Sequence, residues 1–363
     1  MISIRILCAL AAGTLAFPIC FRADAAQPLP SDALELVRNE IDPADSPGDR
    51  AAVLELLARA RNTYALRSSG QGYQLKTSFE VNSDGATRYD GAWTMEDIFD
   101  PRLGLRWTAS AASAYTITEL SLHGEVYADG TPGPIPLRLH EARAALFDPL
   151  PSPAYLERAA IRRSEAAFRG ASVTCVLVSA QRTAPTAAGR AWEESEDCIE
   201  PQSGLLLVHS QVPGRYYAYD YSNAPEFAGR RFPSKVTITE GGKIVSTITV
   251  DNLRELPSAD PGLFLPTPEM KERGRAIAMA GAQKISHLVG LGPVLHSVCV
   301  FGLVTPSGEL VEAHSLQPLD PYSAAAVADV KQLNFSRPSP RGKFGAIPRQ
   351  YFVFVIEKFG SAQ

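Results

Sequence analysis

The sequence predicts an α+β fold: a curled antiparallel β half-barrel with helices, followed by a small C-terminal domain of order ββαβ. Most of the chain after residue 70 alternates apolar and polar residues with a period of two, which is typical of half-buried strands. Short turns such as Gly241-Gly242 separate consecutive strands, which favours antiparallel neighbours. Between residues 298 and 359 two strand patterns, one helical pattern and a last strand pattern follow one another.

The composition is that of a globular chain with a substantial core. Of 363 residues, 45 % are hydrophobic and 20 % are charged, and the formal net charge is −4. Because there is no basic excess, we predict no nucleic-acid partner. The length allows two or three domains. The predicted division is a signal peptide (1–25), an extended arm (26–50), a β domain (51–266), a linker (267–289) and a C-terminal domain (290–363).

Residues 1–25 have the pattern of a secretory signal peptide. Arg5 supplies a positive start, Ile6 to Cys20 is apolar, and Ala23-Asp24-Ala25 offers small residues before a cut. The apolar run is shorter than the roughly 20 residues needed to cross a bilayer, so we predict cleavage and export to the periplasm. The alternative is an inner-membrane anchor through residues 6–20.

Three cysteines follow the predicted signal peptide. Cys175 and Cys198 lie on two neighbouring strand patterns, and an exported chain meets an oxidising compartment. We therefore predict a Cys175–Cys198 disulfide. Cys299 lies in the apolar run Val298 to Phe301 and is predicted to be a buried thiol rather than a nucleophile.

Helical patterns frame the predicted strands of the β domain. One covers Ala51 to Leu66, and we expect Asp49 to begin it. Two more cover Leu139 to Leu146 and Ala154 to Ala167, with prolines between them. Strands are predicted over residues 73–81, 87–95, 103–108, 115–126, 172–179, 190–199, 205–212, 215–221, 235–240 and 243–253. The C-terminal domain is predicted to have strands over 298–304, 310–316 and 351–359 and a helix over 321–333.

The C-terminal region resembles the TonB C-terminal domain family. The resemblance lies in Val304 to Leu310, Leu319-Asp320, Ala324 to Val327, Leu333-Asn334-Phe335 with Arg337-Pro338, and Gly345 to Phe359. The chain departs from the family at Leu333, where tryptophan is usual, and at Ser307, where the turn often has aspartate. The resemblance implies that an exposed edge strand pairs with a segment of an outer-membrane receptor or another envelope protein. The candidate edge residues are Tyr351, Val353 and Val355.

Residues 50–268 resemble the LolA/LolB-like lipoprotein-carrier superfamily. The resemblance lies in the order of elements and in Trp192, Cys198 to Leu206, Phe232 to Lys235 and Pro261 to Pro266. It implies an unclosed β-barrel with helices around an apolar cavity that holds a lipid or acyl chain. Candidate lining residues are Phe79, Trp93, Trp107, Tyr217 and Tyr219; the alternative is that these aromatic side chains are ordinary core.

The sequence predicts a non-enzymatic protein without a metal or cofactor. No Gly-x-Ser-x-Gly elbow, phosphate loop or dinucleotide fingerprint occurs. The carboxylates Glu193, Glu194, Glu196 and Asp197 are interpreted as a solvated strand and turn. The predicted function is binding of partner proteins and of an apolar ligand; the alternative is an anchored TonB-like protein in energy-coupled transport across the outer membrane. The histidines have no metal-ligand spacing: His123, His140, His209, His287, His296 and His314.

Overall fold

The described chain forms two large β sheets, a two-stranded sheet within residues 226–231, and five α-helices. The computed structural model describes residues 36–43, 46–82, 88–112, 114–180, 189–273, 278–279, 282–290, 294–336 and 349–360. The predicted signal peptide, Arg337-Pro338 and Gly345 lie outside these residues.

The body, residues 36–273, carries strands β1 to β16 and four of the helices. Its helices are α1 (Pro47–Tyr64), α2 (Leu137–Phe147), α3 (Pro153–Leu156) and α4 (Pro268–Arg273). Its strands are β1 (Leu36–Arg38), β2 (Asp42–Pro43), β3 (Tyr73–Val81), β4 (Gly91–Asp100), β5 (Gly104–Ala111), β6 (Tyr115–Leu122), β7 (Glu125–Gly130), β8 (Ala160–Phe168), β9 (Ala171–Ser179), β10 (Ser195–Ile199), β11 (Leu206–Val212), β12 (Arg215–Asp220), β13 (Glu226–Phe227), β14 (Arg230–Arg231), β15 (Lys235–Glu240) and β16 (Lys243–Glu255).

The body sheet is antiparallel and open. Its order is β1-β8-β9-β10-β11-β12-β15-β16-β3-β4-β5-β6-β7, with β2 also paired to β8, and β1 and β7 form its two ends. Gly241 and Gly242 join β15 to β16 with φ of 55° and 82°, the positive values that a two-residue hairpin turn requires. The predicted antiparallel half-barrel is confirmed as an open sheet.

One face of this sheet, called here the inner face, carries the main core. On β3 every second residue from Tyr73 to Val81 is buried, as the period of two predicts. Helices α1 and α2 pack on this face through Leu57, Leu139 and Leu146 among others. Ser46, and not Asp49 as predicted, caps α1: its Oγ accepts a hydrogen bond from the Asp49 N–H at 3.0 Å.

The C-terminal sheet has one helix of its own. Its elements are β17 (Ala278–Met279), β18 (Gln283–Val289), β19 (Val294–Val304), β20 (Leu310–Ser315), α5 (Ser323–Val330) and β21 (Arg349–Gly360). The order is β17-β21-β19-β20, and β18 also pairs with β21. Strands β17 and β18 run parallel to β21, whereas β19 runs antiparallel to β20 and β21. The predicted order ββαβ is present in β19, β20, α5 and β21.

Three further predictions, about secondary structure and strand pairing, are wrong in the described chain. Ala154 to Ala167 is not a helix, because only α3 is helical and β8 follows it, paired with β9 and β1. Residues 267–289 are not only a linker, since they contain α4 and β18. The strand with Tyr351, Val353 and Val355 is not an edge: β19 pairs with one side of β21, and β18 with the other.

None of the helices in the described part of the chain combines the length and apolarity that a bilayer crossing demands.

Candidate functional site: the junction of the two sheets

Helix α2 lies between the body sheet and the C-terminal sheet. Leu139 and Ala142 belong to the inner-face core, and the Tyr219 hydroxyl of β12 donates to the Ala145 carbonyl at 3.2 Å. On the opposite side Leu137 packs with aromatic side chains of β19 and β21. The His140 ring stands edge-on to that of Phe352, with centroids 6.0 Å apart. The helix is therefore shared by both sheets.

A buried network of charges joins these layers. Arg138 of α2 donates to both carboxylate oxygens of Glu240 on β15, at 2.7 and 3.0 Å, and to Glu141 at 2.7 Å. Arg215 of β12 donates to Glu240 at 2.9 Å and contacts Glu141 as well. Each of the four side chains is at most 7 % exposed. Two arginines thus neutralise two carboxylates, as a buried charge requires.

The C-terminal sheet completes the network. His314 Nε2 of β20 lies 2.8 Å from Glu240 Oε2. Burial alone would raise the pKa of Glu240, but Arg138 and His314 together hold it well below its usual range. Burial would likewise lower the pKa of Arg138, and Glu240 instead raises it. Both groups therefore stay charged across the working pH range.

Two aromatic rings lie against the guanidinium group of Arg215. Its guanidinium carbon lies 4.3 Å from the Phe301 ring centroid and 4.8 Å from that of Tyr217. Phe301 belongs to the C-terminal sheet and Tyr217 to the body, so the cation is held between the two.

The first turn of α2 is capped by the C-terminal sheet. Pro136 is the N-cap and makes no side-chain cap. The carboxylate of Glu312 on β20 accepts a hydrogen bond from the Leu137 N–H, at 3.2 and 3.3 Å. Gln350 of β21 forms two hydrogen bonds with the backbone of Ile135, at 3.1 and 2.9 Å. Glu312 has φ of 53°, which non-glycine residues rarely adopt.

A second contact between the sheets involves Glu193, which precedes β10. Its carbonyl accepts from Lys284 Nζ at 2.9 Å, and its carboxylate accepts from Ser286 and Lys358, each at 3.2 Å. Burial, with a contribution from Arg190, lowers the pKa of Lys284 to about 7. Strand β18 is thereby attached to the body.

The neighbouring carboxylates are not a solvated strand and turn, as the sequence predicted. Glu194 is buried and paired with Arg162 at 2.8 and 2.6 Å. Glu196 is buried and paired with Arg38 at 2.7 and 2.5 Å. The sequence interpretation failed because Arg162 and Arg38, which pair with these acids, are 32 and 158 residues away in the chain.

The five candidate lining residues all lie in the inner-face core. Each is at most 3 % exposed: Phe79, Trp93, Trp107, Tyr217 and Tyr219. Phe79 and Trp93 are stacked at 5.4 Å, and Arg143 lies 3.9 Å from the Trp107 ring. The five side chains thus belong to one core, and their role in lining a ligand cavity stays a prediction.

An open groove of about 470 Å³ lies on the sheet face opposite this core, over β3 to β6. None of the five candidates lines it. Its lining side chains include the polar residues Lys76, Thr94, Glu96, Thr108, Ser110, Thr116, Thr118 and Asp251.

The predicted disulfide is confirmed. Cys175 of β9 and Cys198 of β10 are directly opposite partners in the sheet and are bonded. Cys299 is a buried free thiol, as predicted, and burial raises its pKa to about 12. Glu196 lies close enough to the two bonded sulfurs to form a candidate metal group, but disulfide sulfurs are poor metal ligands and Glu196 is paired with arginine.

Sequence reasoning missed the junction. Arg138 and Glu141 are three residues apart on one helix, and this spacing was the only local signal of their pairing. Arg215 and Glu240 stand at the ends of their strands, where charged residues are usually exposed. No local pattern could indicate that His314 reaches Glu240 or that Glu312 reaches Leu137.

No protein-family model matches the sequence, and no curated protein matches it. Among solved structures, a LolA superfamily protein from Nitrosomonas europaea is similar with a TM-score of 0.37 and 8 % identity, over 58 % of this chain and 96 % of its own. A DUF1329 family protein from Desulfovibrio piger has a TM-score of 0.36 and 10 % identity, over 59 % and 97 %. A putative outer membrane lipoprotein-sorting protein domain from Vibrio parahaemolyticus has a TM-score of 0.34 and 9 % identity, over 59 % and 95 %. Similarities this low carry no inference for this chain.

Proposed function

We propose that this chain is a non-enzymatic, exported cell-envelope protein that binds a partner polypeptide along β18. The observation that supports this is the one-sided pairing of β18: β21 occupies one edge, and no other described strand pairs with the second. An unpaired strand edge offers backbone N–H and C=O groups to an extended segment. The partner class is an outer-membrane receptor or another envelope protein, as the TonB resemblance implies.

The edge is presented by a strand that is fixed on both faces. On one face, Lys284 and Ser286 are held by Glu193 of the body. On the other, His287 Nδ1 lies 2.9 Å from a Glu357 carboxylate oxygen. Because the strand is already ordered, an added segment bears most of the entropy cost of pairing, which favours specific binding.

The disulfide supports the exported location. A Cys175–Cys198 bond persists in an oxidising compartment and is rarely kept in a reducing one. The alternative, an inner-membrane-anchored TonB-like protein in energy-coupled transport, depends on residues 6–20, which lie outside the described residues. Mass spectrometry of the protein from native envelopes distinguishes the two: a start near Ala26 supports export, and an intact Met1 supports the anchor.

Two neighbouring proline variants test the edge. Successive N–H groups of a strand point to opposite sides, so one of Ser286→Pro and His287→Pro removes an outward donor and the other breaks pairing with β21. Thermal unfolding identifies the outward variant as the more stable of the two. Heptapeptides that bind the wild-type chain are first selected from a displayed random library. We expect these peptides not to bind the variant that lacks the outward N–H donor. Unchanged binding contradicts pairing along β18.

A second candidate function is binding of a lipid or acyl chain on the inner face of the body. In the described part of the chain, helices α1 and α2, rather than a second sheet, cover much of this apolar face. One buried polar atom near it, Ser246 Oγ, has no hydrogen-bond partner among the described residues, which is unusual in a closed core. These observations and the LolA/LolB resemblance favour an apolar ligand that carries a polar group.

The apolar probe N-phenyl-1-naphthylamine tests this second function. The variant Trp192→Phe keeps Trp93 and Trp107, both in the inner-face core. We expect saturable energy transfer from these tryptophans to the probe. Binding without energy transfer places the probe elsewhere, and absence of binding contradicts the apolar site.

A further inference from the structure

Helix α2 depends on the C-terminal sheet at its first turn. A helix begins with N–H groups that have no partner within the helix, and a side chain of the preceding residue usually accepts one of them. Pro136 cannot do this, and Glu312 of β20 accepts from Leu137 instead. The carboxylate also lies at the positive end of the helix dipole, where a negative charge is favourable.

The remaining contacts hold the same half of the helix. Gln350 fixes the backbone of Ile135 just before α2, and Phe352 packs against His140. His314 holds Glu240, which in turn binds Arg138. The C-terminal sheet thus contacts α2 through four residues, Glu312, Gln350, Phe352 and His314, which are together called the clamp below.

The opposite side of α2 covers the body. Leu139, Ala142, Ala145 and Leu146 are all at most 2 % exposed in the inner-face core. A ligand on that face must therefore displace this side of α2. Residues of the body hold the helix through Tyr219 and Asp97, and the cap of its first turn comes from the C-terminal sheet.

We propose that the C-terminal sheet regulates access to the inner face of the body by holding α2 in its covering position. This inference rests on the proposed binding of an apolar ligand there. Strands β20 and β21 supply the contacts, and β18 pairs with β21, so a segment that pairs along β18 acts on the same sheet that holds the helix. Two sites that bias one shared element are coupled, and the coupling is reciprocal.

The variant Glu312→Ala tests the clamp, with Glu312→Gln as a conservative second variant. Glu309→Ala is the matched control, because Glu309 is an exposed carboxylate in the same β19–β20 hairpin. Hydrogen exchange reports opening of α2, and N-phenyl-1-naphthylamine binding reports access to the inner face. In Glu312→Ala we expect faster exchange in residues 137–142 and about fivefold tighter probe binding, the change expected from losing one helix cap.

The outcomes separate this inference from the function on which it rests. Faster exchange with tighter probe binding, absent in the Glu309→Ala control, supports the clamp. Faster exchange with unchanged probe binding overturns regulation by α2 and leaves the ligand site standing. If exchange in Glu312→Ala and Glu312→Gln equals that of the wild-type chain, the clamp itself is overturned. A wild-type chain that binds no probe removes the proposed ligand site, and the regulation fails with it.

Discussion

The body sheet and the C-terminal sheet bury their faces in different ways. The body sheet has its own helices, α1 and α2, on the inner face. The C-terminal sheet has α5 on one face, where Val300 and Val355 pack, but its other face packs on Leu137, Trp192 and Val212 of the body. One of the two faces of the smaller sheet is therefore covered by residues of the body. Because the two sheets share this core, we expect them to unfold as one cooperative unit.

The buried ion pairs also support unfolding of the two sheets as one unit. Pairs such as Arg162–Glu194 lie within the body, whereas the network around Glu240 draws on both sheets. A buried ion network is costly unless every member is paired. The junction is consequently the place where separating the two sheets costs most.

The largest expected effect comes from Glu240→Ala. Removing this carboxylate leaves Arg138 and Arg215 buried with only Glu141 between them, which destabilises a protein by about 3–5 kcal/mol. We expect a single unfolding transition at lower denaturant, measured by equilibrium urea unfolding. The matched control is Glu80→Ala, an exposed carboxylate on β3, which should change stability by less than about 0.5 kcal/mol.

A two-step transition in Glu240→Ala would contradict unfolding of the two sheets as one unit. It would mean that the C-terminal sheet detaches while the body stays folded. The shared core would then contribute little to the stability of either sheet. Coincident curves from tryptophan fluorescence and far-UV circular dichroism support one cooperative unit.

The next effect in size concerns the disulfide, which lies on the body alone. Cys175 and Cys198 are 23 residues apart, and in the chain-entropy model closing such a loop stabilises by about 3 kcal/mol. We expect the double variant Cys175→Ala/Cys198→Ala to unfold at lower denaturant by that amount. If the two sheets unfold together, the variant must also lose hydrogen-exchange protection in β19 and β21 to the same extent. Unchanged protection there indicates that the sheets are independent.

The sequence was informative where the signal is local. Period-two alternation located β3, β15 and β16 to within a few residues, because much of each strand has one face on the core. The apolar runs located β19 and β21, which bury consecutive residues because both faces of their sheet are covered. The alanine-rich segment Ala154 to Ala167 misled, because helix propensity is a weak preference and pairing with β9 outweighs it.

The junction could not be predicted because its parts are distant in the chain. Glu240 and His314 are 74 positions apart, and Leu137 and Glu312 are 175 apart. The edge prediction for Tyr351, Val353 and Val355 failed for a related reason. A strongly apolar strand is typical of the centre of a sheet, but only the pairing with β18 shows that both of its sides are occupied.

The smallest expected effect concerns Lys284, which connects β18 to Glu193 of the body. Its pKa is lowered to about 7, against an ordinary value of about 10.4, so between these pH values the unfolded chain binds a proton that the folded chain does not. Stability from this group therefore rises as pH increases from about 7 to 10, and Lys284→Met should remove that part of the pH dependence. Acetylation by acetic anhydride, followed by peptide mass spectrometry with exposed Lys331 as the reference, should show half-maximal reactivity of Lys284 near pH 7. Half-maximal reactivity near pH 10 would mean that the amine is solvated, and that β18 is attached to the body less closely than β19 and β21 are.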